Sequence, residues 1–143
     1  MKRILTLLSL SALCALLVGI QSCKDDDDPK QTDVERVTAL LVGDAWNIQS
    51  VMVDEVNYTE DFTGLSISFT ESTITSTEGK ALFPASASWA FLSDAAEVLV
   101  IDGTEMAISS ISSNELVLEF EVSESIFGRA DAVGGTNQLT FTR

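Results

Sequence analysis

The chain has 143 residues, with 22 Asp and Glu against 8 Lys and Arg for a formal net charge of −14, and it contains no histidine. That length suits one domain rather than two. So acidic a chain offers no general field for nucleic acid or anionic lipid. Without histidine there is no imidazole for acid–base work, for a Ser-His-Asp arrangement or for a His-containing zinc site.

The first element in chain order is "ILTLLSLSALCALLVGI", an apolar run from Ile4 to Ile20 behind Lys2 and Arg3. A charged start, an apolar centre and a small residue at Ser22 predict a secretory signal over residues 1–22. Read instead as a membrane span, the run sits at the short edge of the ~17–25 residues required. Cys14 falls inside this signal, so the mature chain keeps one thiol, Cys23, with no intramolecular partner. An odd cysteine in an exported chain calls for a reason.

Residues 23–32 read as a tether. Lys24 is followed by Asp25, Asp26, Asp27 and Asp28, and Pro29 discourages a helix start. Like charges repel and keep such a segment extended. It lacks the spaced ligands and turn glycine of a calcium loop, so no metal site is expected there. Loss of residues 1–22 removes two basic residues and no acid, which leaves the mature chain more acidic still.

The folded part is expected over residues 33–143. Thr32 and Glu35 match the S/T-x-x-E capping box. Val34, Val37, Leu40 and Leu41 recur at helical spacing, and Gly43 stands where a helix would stop. This predicts a short helix from Asp33 to Val42.

After Gly43 the apolar period changes from about 3.6 to 2. Eight strand-like runs follow, over residues 45–54, 65–70, 72–77, 86–92, 97–101, 105–111, 115–122 and 138–143. Leu116, Leu118, Phe120 and Val122 alternate with Glu119 and Glu121, and Leu65, Ile67 and Phe69 with Ser66 and Ser68. One apolar and one polar face at this spacing predict an all-β fold. The expected form is a small antiparallel eight-stranded barrel preceded by one short N-terminal helix. Outer faces rich in Ser, Thr and Glu argue against a transmembrane barrel, which needs longer strands and an apolar outside. Val98–Ile101 is apolar on both faces and is expected under the helix or at a turn of the barrel. Eight strands enclose a space that side chains just fill or that holds one small ligand.

Chemistry is sparse. The chain has no glycine-rich phosphate loop. Paired carboxylates could come from Asp54, Glu55, Glu60 and Asp61, or from Asp94 and Glu97, as glycoside hydrolysis requires. In so acidic a chain they read as solvated loop acids, and no enzyme, cofactor or metal is expected. Tyr58, Phe62, Phe83 and Phe127 fall in predicted connections. They are candidates to line a pocket mouth or stack on a sugar, or else they cap the barrel ends.

Several stretches resemble known families. "IQSC", with Ile20 and Ser22 before Cys23, resembles the lipobox of bacterial lipoproteins. The resemblance implies a diacylglycerol on the Cys23 thiol, cleavage before it and acylation of the new amine. "KDDDD", Lys24 and Asp25 to Asp28, resembles the acidic export tag of surface lipoproteins of Bacteroidota. It implies a lipid-anchored outer-membrane protein facing the cell exterior.

The runs "LVGDAWNIQSV", "GLSISFTESTITS", "SWAFLSDAAEVLVIDG" and "ELVLEFEV" resemble the lipocalin-like domains of small Bacteroidota lipoproteins. Gly43 and Trp46 stand one residue further apart than the Gly-x-Trp of true lipocalins. Trp46 is expected to plug one barrel end, and Arg143 or Arg129 could stack on it. The implied partners are the membrane, through the lipid, and a small apolar ligand. The alternative is a filled barrel serving as an accessory or glycan-binding module of a surface uptake assembly.

Overall fold

The structure, a computed structural model, describes residues 30–79, 82–122 and 135–143. Cys23, the Lys24–Asp28 stretch, Phe127 and Arg129 lie outside the described residues.

The helix α1 (Asp33–Leu41) begins as its sequence requires. The Thr32 hydroxyl accepts from the Glu35 amide at 3.2 Å, and the Glu35 carboxylate accepts from the Thr32 amide at 2.9 Å. A cap of this kind stabilises by about 1 kcal/mol. Val37 and Leu41 are buried. The helix stops one residue short of the predicted Val42, because Val42 turns extended and bridges in parallel to Phe69.

Nine strands follow: β1 (Trp46–Val53), β2 (Val56–Asn57), β3 (Ser66–Phe69), β4 (Thr73–Thr77), β5 (Ser86–Phe91), β6 (Val98–Ile101), β7 (Thr104–Ile111), β8 (Glu115–Val122) and β9 (Gly135–Thr142). From β3 to β9 each strand pairs antiparallel with the next. β9 then pairs with β1 from Asn47 to Val53, and β1 with β3 at Trp46 and Asn47. These eight strands close a barrel, and the eight predicted runs coincide with them. Strand β2 was not predicted; it folds back on the end of β1 as a hairpin.

β1 pairs with β3 over two residues only, so the rest of that edge needs other partners. The Tyr58–Leu65 segment supplies them. Tyr58 N donates to Val51 O at 2.8 Å, Val51 N to the Thr59 hydroxyl at 3.0 Å, and Ile48 N to Leu65 O at 2.9 Å.

The inward residues form one core across all eight strands. It includes Trp46, Val51, Ile67, Phe69, Ile74, Trp89, Leu99, Ile101, Met106, Leu116, Leu118, Leu139 and Phe141. Two register shifts re-phase the alternation. On β1 the inward set passes from Trp46 to Val51 and Val53 across a bulge between Ile48 and Ser50. On β7 a second shift lies between Ile108 and Ser110. An extra residue in one strand turns every later side chain to the other face. In β6, Leu99 and Ile101 face in. Val98 and Val100 stay half-buried, paired with Ala107 on β7 and with Ala90 on β5. Gln31–Arg143 forms one compact unit around this core.

Candidate functional site

The strand directions give the barrel two unlike ends. One carries α1, the start of β1, the end of β9 and the β7–β8 connection. Trp46 sits there with no exposed surface, and its indole N–H donates to Leu41 O at 3.0 Å. The Arg143 guanidinium carbon lies 4.1 Å from the centre of the Trp46 ring. Its Nη2 donates to Leu40 O at 2.8 Å and its Nε to Ser113 O at 2.7 Å. A cation held on the ring face by two carbonyls ties helix, first strand and last strand together. This end is closed by side chains, as expected for Trp46, and Arg143 makes the expected stack, while Arg129, the other arginine considered, lies outside the described residues.

The opposite end carries the β1–β2 hairpin, the Tyr58–Leu65 segment, the β4–β5 and β6–β7 connections, the end of β8 and the start of β9. Three of the candidate aromatics lie on its connections, and the structure separates them. Phe62 and Phe83 are buried in the core, whereas Tyr58 is exposed. Phe83 reaches an edge-on contact with Phe141, ring centres 6.1 Å apart. The β4–β5 connection holds it there by hydrogen bonds: Leu82 N and Phe83 N both donate to Gly79 O, and the Ser76 hydroxyl donates to Pro84 O at 2.8 Å.

Asn137 is the one buried polar side chain among the described residues, 1% exposed. It faces inward on β9, opposite Val53 of β1 and Phe120 of β8. Its Nδ2 donates to Gly135 O at 3.1 Å, while its Oδ1 has no hydrogen-bond partner among the described residues. The amide orientation is set by that bond, because a flipped amide would bring two carbonyl oxygens together. A buried carbonyl without a partner costs about 1–3 kcal/mol. Reading the last strand from Gln138 leaves Asn137 in the connection before it. The signal that would have found it is the parity of Leu139 and Phe141, continued back by two residues.

Of the acidic candidates, Asp54 and Glu55 share one groove. On the outer wall of β1, β8 and β9 a groove of about 710 Å³ is lined by Met52, Asp54, Glu55, Glu119, Thr136 and Gln138. Asp54 accepts from the Thr136 amide at 2.9 Å, and Glu119 from the Gln138 side chain at 2.7 Å. Glu60 and Asp61 lie exposed in the short 3₁₀ turn, and Asp94 and Glu97 in the β5–β6 connection. Among the described residues no group of three or more Cys, Asp or Glu is placed to hold a metal ion, and no helix is long and apolar enough to cross a membrane. No protein-family model matches the chain, and no curated protein matches it significantly.

Proposed function

We propose that this protein is a lipid-anchored outer-membrane lipoprotein, exposed at the cell surface, whose lipocalin-like barrel takes a small apolar ligand without catalysing a reaction. The anchor rests on the sequence: an apolar signal, the lipobox-like "IQSC" and the acidic run after Cys23. The observation that carries the ligand reading is the asymmetry of the barrel. The α1 end is sealed by Trp46 under Arg143, and the other end holds a buried amide carbonyl that has no hydrogen-bond partner among the described residues.

A second reading has its own observation. Phe62, Leu82 and Phe83 lie inside the contiguous core, which favours a filled barrel acting as an accessory surface module. Native mass spectrometry of protein purified from its own membranes separates the two. A co-purifying small molecule supports the carrier, and a bare protein supports the filled module. Mass spectrometry of the mature N-terminus tests the anchor, which an unmodified Cys23 thiol would refute. Protease treatment of intact cells tests the outward face; complete protection counts against it.

A further inference from the structure

We propose that Asn137 is the polar anchor of the ligand site, its Oδ1 accepting a hydrogen bond from a hydroxyl or N–H group on an otherwise apolar small molecule. The inference rests on reading the barrel as a carrier and adds the chemical class of what is carried.

Three observations converge on it. First, Asn137 occupies a core position: Leu139 and Phe141, at the same parity on β9, are fully buried apolar residues. An apolar side chain would complete that column, whereas the amide leaves a polar oxygen buried without a partner among the described residues. Second, the amide is used on one side only. Nδ2 is satisfied by Gly135 O, which leaves Oδ1 as a fixed acceptor. An amide oxygen can only accept, so its complement must carry a donor. Third, the neighbours across both ladders, Val53 and Phe120, are apolar and keep 8% and 5% of their surface exposed. Their strand-mates one step deeper, Val51 and Leu118, are at 0%. The amide therefore lies between side chains that keep slight exposure toward the loop end and fully buried ones one step deeper. An apolar wall with one oriented acceptor is the usual make-up of a small-molecule site.

The class that fits is a long-chain alcohol, a sterol-like hydroxyl or a fatty amide, as against a plain hydrocarbon or an ether. Two isomeric probes isolate the donor: 1-decanol and methyl nonyl ether share one formula and differ in the O–H group. Each is titrated into the chain from Lys24 onward, which contains the whole compact unit with its own core. Chemical shifts of the Asn137 side-chain amide and of Val53 and Phe120 report the site. The expected result is that decanol binds about tenfold tighter than the ether, the size of one hydrogen bond to a buried acceptor. In Asn137→Leu the two probes should bind alike, with the melting temperature unchanged or raised. Equal binding of both probes to the wild-type chain overturns the anchor role and leaves the carrier reading standing. A preference for decanol that survives in Asn137→Leu does the same. If neither probe shifts any barrel resonance, the carrier reading and the anchor are overturned together.

Discussion

Arg143 stacks its guanidinium on Trp46, 4.1 Å from the ring centre, while the Trp46 indole N–H donates to Leu41 O and an Arg143 nitrogen donates to Leu40 O. Two adjacent carbonyls in the last turn of α1 are thus satisfied by two side chains that also stack on each other. Those carbonyls have no partners within the helix, so the pair serves as the helix's C-terminal cap and as the barrel's plug.

The stack predicts a large effect at Arg143. Arg143→Ala removes the ring contact and the donors to the part-buried Leu40 O and the exposed Ser113 O. The expected loss is about 2–4 kcal/mol of stability in urea unfolding. Arg143→Lys keeps the charge but cannot serve both carbonyls in one plane, and should recover less than half of that. A change under about 0.5 kcal/mol in Arg143→Ala would show that the contact is incidental.

Two of the tight hairpins form a natural comparison. Ile101–Thr104 turns through Asp102 and Gly103 at φ 49° and 81°, and Val53–Val56 through Asp54 and Glu55 at φ 47° and 68°. Both are two-residue loops with positive φ at both centres, the arrangement that favours Asp-Gly. Glu55 adopts at a steric cost what Gly103 adopts freely. Glu55→Gly should therefore stabilise the protein by about 0.5–1 kcal/mol, read as a shift of the urea midpoint at unchanged slope.

Gly79 is required for a different reason. A Cβ there would run into the Phe83 carbonyl and the Ser76 hydroxyl, both of which seat the β4–β5 connection. Gly79→Ala should cost about 2–3 kcal/mol and loosen Phe83 from Phe141. Faster exchange of the Leu82 and Phe83 amides would report the loosening, and native-like protection would contradict it.

Trp89 sits between Phe69 and Phe91, edge-on to both at 5.5 and 5.3 Å, and its indole N–H donates to Thr70 O at 2.9 Å. Trp89→Phe keeps an aromatic ring and loses the bond. A loss of about 1–2 kcal/mol is expected in thermal unfolding. A neutral result would mean that Thr70 O finds another donor.

The helix and the eight barrel strands were legible because their signals are local. Thr32 and Glu35 reach each other within one turn, and a strand with one face buried shows its period in a few residues. The hairpin strand β2 was not legible, since Val56 and Asn57 are too few to show a period and Glu55 is a poor turn residue. The loop aromatics carried no signal to tell them apart. Tyr58 stays at the rim while Phe62 and Phe83 turn in, and which of these happens depends on long-range partners such as Phe141.

By itself the sequence determined the alternation of inward and outward residues and the helix start, and it carries the signal-like and lipobox-like stretches on which the proposed anchor rests. Each depends on neighbours within a few positions. Only the tertiary structure decided how the barrel ends differ. Arg143 meets the carbonyl of Leu40 across a separation of 103 residues, and Asn137 becomes a buried, half-satisfied amide once β9 pairs with both β1 and β8. Closure of the sheet makes these contacts, and no local pattern encodes where a closed sheet brings its first and last strands together.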